Sequence, residues 1–152
     1  MTAPIIRPMV PEDVEATLAM RARTRENAIT LAELEAEYGI TPQSAAEALR
    51  TTQKGWLCEH GGEVVGFAIG DCATGEVVVL AVLPDYEGQG IGKMLLTHVH
   101  AALRAAGHDT IWLWANPDPA VRASGFYARM GYHMTQETGA DSVKLQFGPV
   151  QA

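Results

Sequence analysis

The 152 residues are 47% apolar and 19% charged, with 11 Lys and Arg against 18 Asp and Glu, a formal net charge of −7. This is a globular composition, and an acidic balance without a Lys/Arg cluster argues against a sequence-independent nucleic-acid binder. The longest apolar run, Val77–Leu83, is far short of the ~20 residues of a membrane helix, so no membrane partner is expected.

Met1–Arg7 is too short and mixed for a secretory signal. Ile5–Met9 reads as a first strand, closed by Pro8 and Pro11. A helix is expected from Pro11, with Glu12, Asp13 and Glu15 in its first turn and Arg21, Arg23 and Arg25 beyond its far end, an order that suits the macrodipole. Thr30 followed by Glu33 forms a capping-box pattern for a short helix ending near Tyr38–Gly39. Thr41 and Pro42, an N-cap followed by Pro at the first helical position, open a helix that should run to about Lys54.

The period then changes. Trp56–Glu59 and Glu63–Ile69 read as a hairpin over Gly61–Gly62. Glu76–Leu83 follows the turn at Thr74–Gly75, and its unbroken Val/Leu run predicts a strand covered on both faces. Ile91–Ala106 repeats apolar residues at three- and four-residue steps, an amphipathic helix stopped by Gly107. A strand at Thr110–Ala115, a helix at Val121–Met130 and strands at Gly131–Gln136 and Val143–Phe147 complete one α/β domain over residues 1–152, ordered β-α-α-α-β-β-β-α-β-α-β-β. Cys58 and Cys72, with no CxxC and no paired His, signal neither a disulfide framework nor a metal site, and read as reduced thiols of a cytoplasmic protein.

The segment with chemistry in it is Val82-Leu-Pro-Asp-Tyr-Glu-Gly-Gln-Gly-Ile-Gly-Lys93. Gly88, Gly90 and Gly92 join a buried strand to a helix, permit positive φ and let a ligand approach the main chain. The first-turn amides and the helix dipole then make an anion site suited to phosphate. A P-loop would need Ser or Thr where Met94 follows Gly92-Lys93. A Rossmann fingerprint would need Gly-x-Gly-x-x-Gly near the first strand.

With Gly125-Phe-Tyr-Ala-Arg-Met-Gly-Tyr132 added, the chain resembles the GNAT superfamily of acetyl-coenzyme A-dependent N-acetyltransferases. The family's phosphate motif, Arg/Gln-x-x-Gly-x-Gly/Ala, is matched at Gly90-Ile91-Gly92. Its later signature is matched at Phe126-Tyr127 and Gly131-Tyr132, and the likeness spans Ile5 to Phe147. It implies the GNAT fold, a central mixed, mostly antiparallel sheet flanked by helices. Two departures stand out: Glu87 occupies the motif's Arg/Gln position, where an acid beside pyrophosphate is unfavourable unless it turns to solvent. Ala120 occupies the place of a coenzyme-contacting Asn, leaving Asn116 and Arg122 as substitutes.

The resemblance implies that Leu80, Ala81 and Val82 hold the pantetheine arm of acetyl-coenzyme A with backbone groups. Gly88, Gln89, Gly90, Ile91, Gly92 and Lys93 would cradle its pyrophosphate. It further implies direct attack of an amine on the thioester through a tetrahedral intermediate. The amine must lose a proton to attack, so a general base is useful. Glu76 is the first candidate; a two-residue period places it with Val78, Leu80 and Val82, although a strand-end acid is equally a solvated one. Water, His98 and His133 are alternatives, with His98 expected at the rim of its helix. Tyr127 is expected to protonate or hydrogen-bond the departing thiolate; otherwise it is an interfacial packing residue. Trp114 could line the acceptor slot, though core packing is the expected role of Trp112 and Trp114.

Glu33, Glu35, Glu37 and Glu47 could attract a cationic amine, or simply be the wet face of two short helices. The expected acceptor is a primary amine of a small molecule or a peptide or protein terminus. The alternative is an acyl-coenzyme A-binding module with little turnover. Homodimers are common in the family, and no segment here specifies one.

Overall fold

The computed structural model describes residues 3–24, 29–116, 122–139 and 142–147, with the backbone alone at 122–124. Strand β1 (Ile5–Pro8) is followed by a 3-10 turn at Pro11–Asp13, and helix α1 (Val14–Arg21) starts one turn later than the expected Pro11. Asp13 is the reason for the delay. Its carboxylate accepts from the Val10 amide at 2.8 Å and from both terminal nitrogens of Arg7 at 2.9 Å. Arg7 also donates to Glu59 at 2.6 Å, and its hydrogen bonds hold the Asp13 carboxyl below its ordinary range.

The next two helices form as their caps dictate. At α2 (Leu31–Tyr38) the Thr30 hydroxyl accepts from the Glu33 amide at 3.1 Å, and Gly39 closes the helix at φ 67°. At α3 (Pro42–Thr51) the Thr41 hydroxyl accepts from the Ser44 amide at 3.1 Å. The helix ends three residues before the expected Lys54 because Gln53 and Lys54 pair with Asp71 and Gly70 as the start of a strand. Sheet pairing outweighs the local helical preference there. Arg25 lies outside the described residues.

Strands β2 (Gln53–His60), β3 (Glu63–Asp71), β4 (Glu76–Val82), β5 (Ile111–Ala115), β6 (Tyr132–Thr138) and β7 (Val143–Phe147) join β1 in one sheet of order β1-β2-β3-β4-β5-β7-β6. Every neighbouring pair is antiparallel except β4 with β5.

Helix α4 (Ile91–Ala105) lies on one face of the sheet. Gly66 and Gly70 of β3 let it approach: a Cβ on Gly70 would stand 2.7 Å from Val99 Cγ1, and one on Gly66 3.3 Å from Leu95. Leu95, Leu96, Val99 and Leu103 are fully buried there. On the opposite face α1 and α3 pack over Phe67 and Ile69, with Val14, Leu18 and Leu34 forming a second, smaller apolar cluster. Helix α5 (Arg122–Met130) precedes β6; its expected first residue, Val121, lies outside the described residues.

Strand β4 departs from the expectation of two covered faces. Val77 and Ala81 are buried, whereas Val78 is 37% exposed. The register explains it: Ile69 pairs with Val79 and Gly70 with Val77, so Val78 is an extra residue, a β-bulge.

Candidate active site

The bulge lies where the sheet opens. β4 and β5 share a single register pair, Glu76 with Trp112, pinned by the Trp112 amide donating to the Gly75 carbonyl at 3.2 Å. The Trp112 indole donates to the Thr74 carbonyl at 3.0 Å. Past that pair no ladder joins Val77–Val82 to β5, so the β5-facing edge of Leu80, Ala81 and Val82 lacks strand pairing. Parallel β-strands that part in this way leave main-chain donors and acceptors for a ligand.

The bulge also changes which residues share a face. Glu76 opposes Asp71, which lies on the side of Phe67 and Ile69; Val79 and Ala81 oppose those same two residues. Glu76 therefore shares the α1 side with Val79 and Ala81. Leu80 and Val82 face α4, contrary to the two-residue period that grouped Glu76 with them. One inserted residue inverts every face assignment across it.

Beyond β4, a 3-10 turn at Pro84–Tyr86 leads to the glycine segment. Gly88 (φ 78°) and Gly90 (φ 83°) occupy the left-handed region, which glycine adopts without penalty. Gly90 is the N-cap of α4, no side chain bonds to the first-turn amides, and a Cβ on Gly90 would meet nothing within 4 Å. Met94 is the first amide to find a helical acceptor, the Gly90 carbonyl at 3.1 Å, so the amides of Ile91, Gly92 and Lys93 precede the ladder. Open space, bare amides and the dipole fit a phosphate group.

The individual residues contribute unequally. The Ile91 side chain is core, so only its amide is available. Gly92 is not in the left-handed region; a Cβ there would stand 3.6 Å from Phe126, an ordinary contact, so it is not required by backbone geometry. Lys93 is exposed, and Gln89 folds back to donate to the Asp85 carbonyl at 3.4 Å. Glu87 is half-buried and not turned fully to solvent. Asn116 is exposed just past the end of β5. Arg122 is the first residue of α5, and its side chain lies outside the described residues, as does Ala120.

Tyr127 projects from α5 into an aromatic cluster, its ring 5.3 Å from Phe126 and 5.4 Å from Tyr132. It is 9% exposed, and burial pushes its phenol up to about 12. Behind it, His100 of α4 shares a 2.6 Å hydrogen bond with the Tyr132 hydroxyl. Burial, then the nearby Arg104, hold the His100 imidazole down at about 4, hence neutral. His98 is exposed at the rim of α4, stacked on Trp56 at 5.4 Å, and His133 is half-buried on β6.

Burial raises the Glu76 carboxyl above its ordinary range, Asp71 adds to the rise, and Lys144 opposes it. Lys144 lies 4.6 Å above the Trp112 ring. Trp114 is 43% exposed while Ile111 and Leu113 are buried, so the tryptophan side of β5 is open and Trp114 is not a core residue. Between α1, α3 and the bulge lies a cavity of about 250 Å³ whose lining includes Leu18, Arg21, Phe67, Ile69, Val78 and Val79. Arg21 and the bulge were not legible as site features; the run of three valines at Val77–Val79 conceals an inserted residue. Glu33, Glu35, Glu37 and Glu47 are exposed and none lines the cavity, so they form the wet face of their helices. Among the described residues no group of three or more His, Cys, Asp or Glu stands as a metal site, and no helix is long and apolar enough to cross a membrane.

Comparisons with known proteins agree with this layout. A family model described as an acetyltransferase (GNAT) domain matches residues 51–134, more than half of the chain. The chain is similar to a mycothiol acetyltransferase of Nocardiopsis dassonvillei, 35% identical over 122 residues, 72% of this chain and 33% of that protein. It is also similar to a ribosomal protein bS18-alanine N-acetyltransferase of Escherichia coli, 34% identical over 74 residues, 47% of this chain and 49% of that protein. The chain thus matches only about a third to a half of the length of these relatives. Among solved structures, the PaiA N-acetyltransferase of Thermoplasma acidophilum in complex with coenzyme A has a TM-score of 0.80 over 97% of this chain and 100% of that one, at 16% identity. The ribosomal-protein-S18-alanine N-acetyltransferase of Escherichia coli has a TM-score of 0.72 over 99% of this chain and 96% of that one, at 20% identity. At those identities the likeness is one of fold.

Proposed function

Because the chain belongs to the GNAT acetyltransferase family, we propose that it is an N-acetyltransferase moving the acetyl group of acetyl-coenzyme A to a primary amine. The amine belongs to a small molecule or a peptide or protein terminus. The observation that carries this reading is the conjunction at the end of β4: a strand unpaired along one edge runs directly into bare amides at a left-handed glycine turn. A donor with a pantetheine arm and a pyrophosphate needs both features in that order.

Acetyl-coenzyme A supplies the activated acyl group. The amides of Ile91, Gly92 and Lys93, with Gly88, Gln89 and Gly90 shaping the turn, hold the pyrophosphate, and Leu80, Ala81 and Val82 align the arm along β4. Asn116, just past β5, and Arg122, at the start of α5, add outer contacts. A backbone amide of the β4 edge, preorganised and poor in water, stabilises negative charge on the acyl oxygen. Glu76, raised in pKa and on the α1 side of the split, removes the proton from the incoming amine. Tyr127 offers its proton toward the departing sulfur. Free Cys58 and Cys72 support a reducing, cytoplasmic setting, and one sheet running through all seven strands supports a single domain.

The half-buried Glu87 favours a second reading, an acyl-coenzyme A-binding module with little turnover. Thiol release from acetyl-coenzyme A over a panel of primary amines separates the two. Amine-dependent release supports the enzyme; a coenzyme A-induced rise in melting temperature without release supports the module. Neither response overturns both.

A further inference from the structure

Among the described arginines, Arg21 is the one with a buried nitrogen that lacks a hydrogen-bond partner. Arg7 is paired with Asp13 and Glu59, Arg23 with Glu63, and Arg50 with Glu47. Arg21 has no carboxylate partner among the described residues, and its Nε is buried with no hydrogen-bond partner. Burial pushes its guanidinium below the ordinary range, with only Tyr38 opposing. A guanidinium whose Nε is desolvated without an acceptor carries a cost that a ligand acceptor in the adjoining cavity would relieve.

Arg21 lines the cavity between α1, α3 and the sheet, and it is the one charged group among the described lining residues. The hydroxyls nearby are already committed: Thr17 donates to the Val14 carbonyl at 3.0 Å and Ser44 to the Thr41 carbonyl at 3.1 Å. Most of the remaining wall is apolar, from Leu18, Phe67, Ile69, Val78 and Val79. Val78 and Val79 are also the bulge residues beside the β4–β5 split, and Glu76 shares their side of the sheet. The cavity therefore reaches from Arg21 past an apolar wall to the β4 bulge, on the same side of the sheet as the proposed base.

We infer that the acceptor is a small primary amine that also carries a carboxylate, an amino-acid-like molecule, seated in this cavity with its carboxylate on Arg21 and its apolar body against Phe67 and the β4 bulge. This deepens the acetyltransferase reading and rests on it. Arg and carboxylate pair bidentately, which orients the amine as well as binding the anion. A polycationic acceptor would meet Arg21 as a like charge and be disfavoured.

The test uses matched triplets of small apolar L-amino acids, their amides and their decarboxylated amines, such as L-valine, L-valinamide and isobutylamine. Calorimetric binding to the coenzyme A-saturated protein is read beside thiol release from acetyl-coenzyme A. The amino acid is expected to exceed its neutral matches on the order of a hundredfold in affinity and in kcat/KM, a charge-assisted bidentate pair being at stake. Arg21→Gln should abolish that preference while the melting temperature holds or rises and coenzyme A affinity is unchanged, and Arg21→Lys should retain part of it. If Arg21→Gln does not fold, the wild type and Arg21→Lys decide. Absence of a carboxylate preference in the wild type, or its persistence in Arg21→Gln, overturns the inference. Turnover of the amides and simple amines without any carboxylate gain sinks this inference alone, whereas no coenzyme A binding and no thiol release sink the acetyltransferase reading itself.

Discussion

Tyr127 and Glu76 are both shifted by burial, and the shifts assign them different work. A phenol held at about 12 stays protonated across the working range. Full transfer of its proton to a thiolate of ordinary pKa, about 8.5, would be uphill by roughly 5 kcal/mol. Tyr127 is therefore better suited to donate a hydrogen bond to developing negative charge on sulfur than to give up its proton early. Tyr127→Phe should lower kcat by about a hundredfold, the scale of one preorganised donor, with coenzyme dissociation nearly unchanged. Stopped assays at saturating donor check this, and unaltered turnover removes Tyr127 from the reaction.

Glu76 works in the opposite sense. As a base it must be ionised, so activity should fall as pH drops through its raised pKa. Lys144→Gln should move that limb to higher pH, because Lys144 opposes the rise. The stability sign is the reverse: the fold favours the protonated carboxyl, so its contribution is present below the ordinary carboxylate pKa and lost as pH climbs through the raised one. Glu76→Gln should abolish the kinetic limb yet raise the melting temperature at neutral pH. A pH–rate profile and melts on the same variant test both halves.

At the scale of elements, α4 is seated by what its neighbouring glycines lack. Gly70→Ala drives a methyl to 2.7 Å from Val99 and should cost about 1–3 kcal/mol, with α4 displaced from β3. Gly90→Ala meets no atom, so its cost is the left-handed backbone alone, about 1–2 kcal/mol, accompanied by weaker coenzyme binding. Gly92→Ala meets nothing closer than 3.6 Å and should stabilise the free protein by about 0.5–1 kcal/mol, as alanine does inside a helix. Urea melts that rank the three differently refute this account of the segment. The three glycines look alike in sequence; φ and neighbours separate them.

Across the whole molecule, the larger apolar core spans both faces of the sheet, and His100 ties it to β6 through Tyr132. Its imidazole is held at about 4, well below the unfolded value of about 6.5, so the unfolded chain binds more protons between those limits. The stability it contributes is complete above about pH 6.5 and is lost as pH falls toward 4, up to about 3 kcal/mol. His100→Gln should flatten that part of the curve of unfolding free energy against pH. An unchanged slope would assign the acid sensitivity to another group.

Element order, the helix caps at Thr30 and Thr41, the glycine turn after β4 and the aromatic signature around Tyr127 were all readable from the chain alone. Each depends on residues within a few positions of one another, through local hydrogen bonds, allowed φ and hydrophobic period. The inserted residue at Val78, the face on which Glu76 lies, the openness of Trp114 and the isolation of Arg21 were not. They are set by the register of β4 against β3, by where β5 leaves β4, and by which acids happen to stand near a distant cation. Such long-range pairings leave no periodic trace, because a single extra valine in a run of valines changes no composition and no pattern, only the side of the sheet that everything before it faces.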